Sequence, residues 1–131
     1  MGLIVQKFGG TTVADADCIR RVAGIITDTY KKGNQVVAVL SAQGDTTDDL
    51  IAMAGQINPR ASSREMDMLL SVGEQISVSL CAMAIEALGF PVVSLTGWQA
   101  GMLTDSTYGS ARLRRLNKER VDVGLDKPNS E

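Results

Sequence analysis

Three stretches of this 131-residue chain combine residue types that handle phosphate and carboxylate groups. The first is Lys7-Phe8-Gly9-Gly10-Thr11-Thr12. Paired glycines between a strand and a helix let the backbone approach a ligand and aim N–H groups at an anion. Lys7 adds a mobile cation, and Thr11 and Thr12 add hydroxyl donors. By composition this is a phosphate cradle, although neither the Walker A spacing nor G-x-G-x-x-G is present. A tight turn beside a solvated lysine is the plainer alternative.

The second stretch, Ser41 to Asp49, follows an apolar run and offers hydroxyls at Ser41, Thr46 and Thr47, with Gly44 for close backbone approach. Open α/β sheets bind ligands at the carboxyl ends of their strands, and such a cluster suits a small carboxylate. The alternative is loop solvation, with Thr46 or Thr47 capping the next helix. The third, Met66 to Glu74, places Asp67 and Glu74 on about the same face of an otherwise apolar helix. A carboxylate in that setting is either solvated or matched to a cation, and Glu74 beside Gly73 is placed to meet an ammonium group. Arg112, Arg114 and Arg115 form a short basic run that reads as a solvated face.

Composition limits the chemistry further. The chain contains no histidine, which excludes Ser-His-Asp and Cys-His nucleophile systems, HExxH zinc sites and imidazole acid–base steps. Any reaction must use carboxylates, lysine, arginine, hydroxyls and backbone amides. A net charge of −2 argues against a nucleic-acid binder driven by bulk charge. With 44% hydrophobic and 21% charged residues, the sequence reads as one globular domain. Cys18 and Cys81 fit no CxxC spacing and read as buried free thiols. The chain opens on a strand-like run rather than a signal peptide, and Gln6 breaks the Met1-Gly2 myristoylation pattern. No apolar run reaches the roughly 18 residues of a spanning helix, so no membrane partner and a cytoplasmic location are expected.

The elements that must position these residues follow from patterning. Gly2–Phe8 reads as a buried strand and Gln35–Leu40 as a strand covered on both faces. Between them, Cys18, Val22, Ile25, Ile26 and Tyr30 recur at helical spacing, with Asp15 or Asp17 as N-cap and Lys31-Lys32-Gly33 as the stop. A short helix carrying Leu50, Ile51 and Ala54 ends at Asn58-Pro59. Ser62 to Glu65 is a capping box opening a long helix whose apolar face is read through Met66, Leu69, Leu70, Ile76, Leu80, Met83, Ala84 and Ala87. Gly73 inside it implies a kink or a close approach, and Gly89 ends it. Pro91–Thr96 is expected to be a strand, Gly97–Gly109 a loop, Ala111–Leu116 a strand, Lys118–Leu125 a helix and the last residues a frayed tail. Alternating strands and helices predict an α/β fold with a mainly parallel sheet flanked by helices.

Taken in order, KFGGTTVA at Lys7–Ala14, VLSAQGDTTDDL at Val39–Leu50 and REMDMLLSVGEQIS at Arg64–Ser77 closely resemble the N-terminal part of the aspartokinases, within the amino acid kinase family. SLTGWQAGMLTD at Ser94–Asp105 is similar to the next segment of that family, and the resemblance runs from about Gly2 to Leu125. Thr12 stands where the family usually has Ser, and Gln43 where Met is common. The resemblance implies an amino acid kinase-like fold and ATP-dependent phosphorylation of the L-aspartate side chain to 4-phospho-L-aspartate, the first step toward lysine, threonine and methionine. It implies that Lys7 contacts the transferring phosphates and that Gly9 and Gly10 line the phosphate loop. Ser41 and Thr47 would lie at the aspartate site, and Glu74 would receive the aspartate ammonium. ATP with Mg2+ would be the cofactor.

By the same resemblance, residues 1–131 correspond to the aspartate-side portion of a catalytic domain about twice this long. The expectation is a truncated domain, inactive alone, without the nucleotide-binding half, the downstream substrate-binding arginine and the regulatory ACT domains. A sheet ending early leaves an edge, so a homo-oligomer or association with the missing half is expected. Two competing readings are a non-catalytic folding or association module and a related amino acid kinase acting on another acidic substrate.

Overall fold

The computed structural model of the chain describes residues 2–96, 102–104 and 113–116. Strand β1 (Leu3–Phe8) and strand β2 (Gln35–Leu40) pair in parallel, with Leu3 opposite Gln35 and Phe8 opposite Leu40. Both strands therefore end at the same edge. Helix α1 (Ala16–Lys31) makes the crossover. The Asp15 side chain caps it, accepting from the Cys18 amide at 2.9 Å. Asp17 in the first turn and Lys31 in the last complement the helix dipole. Gly33, at φ +89°, supplies the left-handed turn into β2.

Helix α2 (Thr46–Ile57) ends where Asn58 turns extended, as a residue before proline must. Helix α3 (Ser63–Ala87) starts at Ser62, whose hydroxyl accepts from the Glu65 amide at 3.3 Å. The expected capping box forms only on this side, because the Glu65 carboxylate pairs with Arg64. Both α1 and α3 pack on one face of the β1–β2 pair. Phe8 and Leu40 from the strands join Val22 and Ile26 of α1 and Cys81 and Ile85 of α3 in a single core. The corner where α1 ends is closed by Tyr30, edge-on to Phe90 at 5.8 Å, with the Lys31 ammonium 5.4 Å from the same ring. Gln6 ties β1 to α1 by donating to the Thr29 hydroxyl at 2.9 Å.

The α/β class and the parallel pairing agree with the sequence reading, but several features differ. Strand β1, expected to be buried, is exposed at Leu3, Ile4 and Val5, and β2, expected to be covered on both faces, is exposed at Val39, because α1 and α3 cover one face of the pair. Ile25 and Tyr30 of the spacing expected to face inward in α1 are exposed. The buried stripe of α3 is Gly73, Ser77, Cys81, Ala82 and Ile85, whereas Ile76, Leu80 and Met83 of the expected apolar face are exposed. Close packing against α1 selects small side chains there over large apolar ones. Pro91–Thr96 joins neither sheet; Pro91 removes a ladder donor, and Val92 still packs against the core. A second, antiparallel sheet pairs β3 (Met102–Thr104), within the expected loop, with β4 (Leu113–Leu116), within the expected strand. Finally, α3 is long and apolar enough by length and composition to cross a membrane, contrary to expectation; here it contributes a buried stripe to the core shared with the strands. Cys18 is half-buried and Cys81 fully buried, both free. The helix expected at Lys118–Leu125, the tail and Arg112 lie outside the described residues.

Candidate functional site at the strand ends

Because β1 and β2 run parallel in register, the residues following each strand emerge side by side. Lys7 faces Val39 across the ladder and is exposed, while its neighbour Phe8 turns into the core. The Phe8 carbonyl accepts from the Ser41 amide at 3.1 Å, joining the two loops at their first residues. Gly9 is extended, and a Cβ built on it meets nothing within 4 Å, so the backbone there is open to a ligand. Gly10–Val13 then forms a single 3-10 turn, closed by the Thr12 amide on the Gly9 carbonyl at 3.1 Å.

The second loop folds onto the first. The Gly44 amide donates to the Gly10 carbonyl at 2.9 Å, and Gly44 takes a positive φ of +36°. Ala42 between them is buried. Ser41 and Thr47 are half-buried, with Thr47 in the first turn of α2. The expected capping of α2 by a threonine hydroxyl is not seen; Asp45 holds the N-cap position without a side-chain hydrogen bond. Instead the helix start is tied by the Thr46 amide to the Gln43 carbonyl at 2.8 Å.

Helix α3 reaches this edge through Gly73, which is buried and whose added Cβ would lie 2.7 Å from the Ala42 Cβ. Glu74 is the next residue and is exposed. The structure thus joins the Lys7–Gly10 and Ser41–Gly44 segments by the Phe8–Ser41 and Gly10–Gly44 backbone bonds, and sets Gly73, the neighbour of Glu74, against Ala42. Thr47 follows one short turn later, and Asp67 is half-buried nearer the start of α3. The ion pairs Asp17–Arg20 at 2.7 Å and Arg64–Glu65 lie elsewhere and are exposed, and neither involves Lys7 or Glu74. Sequence reasoning missed Ala42. Its available signal was the glycine inside an apolar helix, which marks a backbone approached closely by something else.

No group of three or more His, Cys, Asp or Glu side chains among the described residues is placed to hold a metal ion. The arrangement offers a cation, backbone open at Gly9, hydroxyls and carboxylates at a single sheet edge, Glu74 from α3 and Asp45, Asp48 and Asp49 from the start of α2. That set fits an anionic ligand carrying an ammonium group.

The model of the amino acid kinase family matches residues 2–128. The chain belongs to the amino acid kinase family. Among the similar relatives of this amino acid kinase, the aspartokinase of Geobacillus stearothermophilus is 50% identical over 126 residues, which is 96% of this chain and 31% of that protein. The aspartokinase of Mycolicibacterium smegmatis is 54% identical over 126 residues, 96% of this chain and 30% of the relative. A crystal structure of aspartate kinase from Synechocystis superposes with a TM-score of 0.83 at 41% identity, covering 93% of this chain and 20% of that one. This amino acid kinase chain thus spans about a third of the length of the curated relatives it matches.

Proposed function

We propose that the chain forms the aspartate-side part of an aspartate kinase site, in which an L-aspartate side-chain oxygen attacks the γ-phosphorus of ATP. The new P–O bond yields 4-phospho-L-aspartate as the bond to the leaving ADP oxygen breaks. The attacking carboxylate is already ionised at neutral pH, so the step requires no histidine base. Phosphoryl transfer depends on positioning and charge neutralisation. In this reading Lys7 and the amides at Gly9 and Gly10 hold the phosphates, Ser41 and Thr47 hold the substrate carboxylates, and Glu74 takes the ammonium. Mg2+ would be held chiefly by the ATP phosphates, as suits an ion that keeps most of its water, and would supply charge neutralisation there.

The observation that carries the reading is the convergence of three separate segments at one edge: Ser41 on Phe8, Gly44 on Gly10, and Gly73 against Ala42. Similarity to aspartokinases of two genera supports the choice of aspartate. The same reading assigns the chain an aspartate-to-acyl-phosphate role in amino-acid biosynthesis and a cytoplasmic setting.

One face of the β1–β2 pair supports association. Leu3, Val5 and Val39 on the side away from α1 and α3 are 56%, 64% and 44% exposed. Parallel strands are ordinarily covered on both faces. The partner is a second copy or the segment that completes the domain.

The test joins this chain to the remainder of the Geobacillus stearothermophilus aspartokinase and traps acyl phosphate with hydroxylamine. Aspartate-dependent product is expected, with glutamate inert. Lys7→Ala should lower kcat by about 100-fold or more, as loss of a charge-stabilising donor does. Glu74→Gln should instead raise the KM for aspartate. A folded chimera that phosphorylates glutamate as well as aspartate, or is indifferent to both substitutions, would refute the assignment.

A further inference from the structure

Two glycines at the site are not explained by backbone conformation. Neither Gly10 nor Gly73 has a positive φ, which in this chain is confined to Gly33, Gly44 and Gly89 among the described residues. Gly73 also lies in the interior of a 25-residue helix, where glycine is the poorest choice after proline. Both face the same residue. A Cβ on Gly10 would meet the Ala42 carbonyl oxygen at 2.8 Å, and a Cβ on Gly73 would meet the Ala42 Cβ at 2.7 Å. Real Cβ atoms essentially never stand this close, so each glycine is there for space.

We propose that Ala42 is a positioning residue, a one-methyl spacer that sets how close α3, and with it Glu74, comes to the Ser41–Thr47 loop and the phosphate loop. The inference rests on the site reading above and adds the element that fixes its span. The spacer cannot retreat. Its carbonyl abuts Gly10, and the Gly44 amide, two residues on, is bonded to the Gly10 carbonyl at 2.9 Å. On the other side, the helix behind Gly73 is buried at Ser77, whose hydroxyl approaches the Gly73 carbonyl at 3.5 Å. Any added methyl at position 73 must therefore be absorbed by α3 moving off the loop. Glu74 moves with it, while Lys7, Gly9 and Gly10 stay on the sheet edge.

The geometry makes an asymmetric forecast. A Cβ at position 73 lies 3.7 Å from the Ala42 Cα, which is ordinary contact. Exchanging the residues, Ala42→Gly with Gly73→Ala, keeps one methyl in the gap and restores the fit. Gly10→Ala collides with a backbone oxygen, so Ala42→Gly gives it no relief.

The test has two arms. In the full 131-residue chain, amide resonances of Gly10, Ser41, Gly44 and Glu74 are followed by two-dimensional NMR. Gly73→Ala should displace the Ser41 and Glu74 signals, and the exchanged double variant should return them. In the chimera, Gly73→Ala should raise the KM for aspartate about tenfold, which is 1.4 kcal/mol, and leave the KM for ATP within about twofold. The double variant should restore aspartate KM, and the pair Gly10→Ala with Ala42→Gly should not rescue Gly10→Ala. The inference is overturned if folded Gly73→Ala leaves these resonances and the aspartate KM unchanged, or if the exchange fails to rescue. Glu74→Gln serves as the separate arm. If it leaves aspartate KM unchanged, the site reading has failed; if it raises KM while Gly73→Ala does not, only the spacer has.

Discussion

Helices α1 and α3 pack on the same sheet face, yet they obey different rules. In α1 the inward stripe is Ile19, Val22, Ala23, Ile26 and Thr27; of the residues marked by helical spacing it includes Val22 and Ile26, while Cys18 is half-buried and Ile25 and Tyr30 are exposed. In α3 the inward stripe is Gly73, Ser77, Cys81, Ala82 and Ile85, while Met68, Val72, Ile76, Leu80 and Met83 are left exposed. Hydrophobicity places α1; clearance places α3. A helix that must bring a backbone to within contact of a loop cannot carry large side chains on that side, whatever their affinity for the core. The difference separates an element built for stability from one built to hold a distance.

Truncating the α1 stripe should have the largest effect. Ile19→Ala removes a buried branched side chain from the core and should cost about 2–5 kcal/mol in urea unfolding. A cost below about 1 kcal/mol would break the claim that α1 carries the core.

The α3 stripe is tested through Cys81. Burial raises its thiol from 9.0 to about 11. A thiol that ionises more readily in the unfolded chain stabilises the fold fully below pH 9, and that contribution is lost as pH rises toward 11. Unfolding free energy should fall across this window by about 2 kcal/mol or less, and Cys81→Ala should flatten the fall. Half-buried Cys18 should be alkylated by iodoacetamide in the native chain, with Cys81 reacting only on unfolding. Equal rates for the two thiols would contradict the burial of this stripe.

The smallest effect is expected on the outer side of α3. Met83→Ser, at 62% exposure, should change stability by no more than about 0.5 kcal/mol. If the substitution instead costs as much as Ile19→Ala, the outer face of α3 is covered in solution and the contrast with α1 disappears.

The same contrast explains what could be read from the residues. Both parallel strands, the Asp15 and Ser62 caps, the Gly33 turn and the Asn58-Pro59 stop follow from local chemistry, and all stand where expected. The inward face of α3 did not, because periodicity ranks side chains by hydrophobicity, whereas close packing against α1, and against Ala42 at Gly73, ranks them by size. The β3–β4 pair escaped notice because three- and four-residue strands have too short a pattern to show alternation. Pro91–Thr96 has the apolar character of a strand without joining a sheet, which composition alone cannot distinguish. At the site, the glycine and hydroxyl loops were legible as types. Their mutual contact, through Ala42, belongs to the tertiary structure.

The pinch at Ala42 also imposes an order in time. Synthesis from the N-terminus completes β1, α1 and β2 at Leu40, a unit that can pair its strands at once. The loop that follows has half its support then, from Gly10, and gains the rest only when Gly73 arrives with the middle of α3. Pulse-labelled hydrogen exchange during refolding should find the β1–β2 amides protected first and those of Ser41 and Gly44 later, as the long helix docks. The binding edge is therefore finished last, by a helix that also closes the core through Cys81 and Ile85.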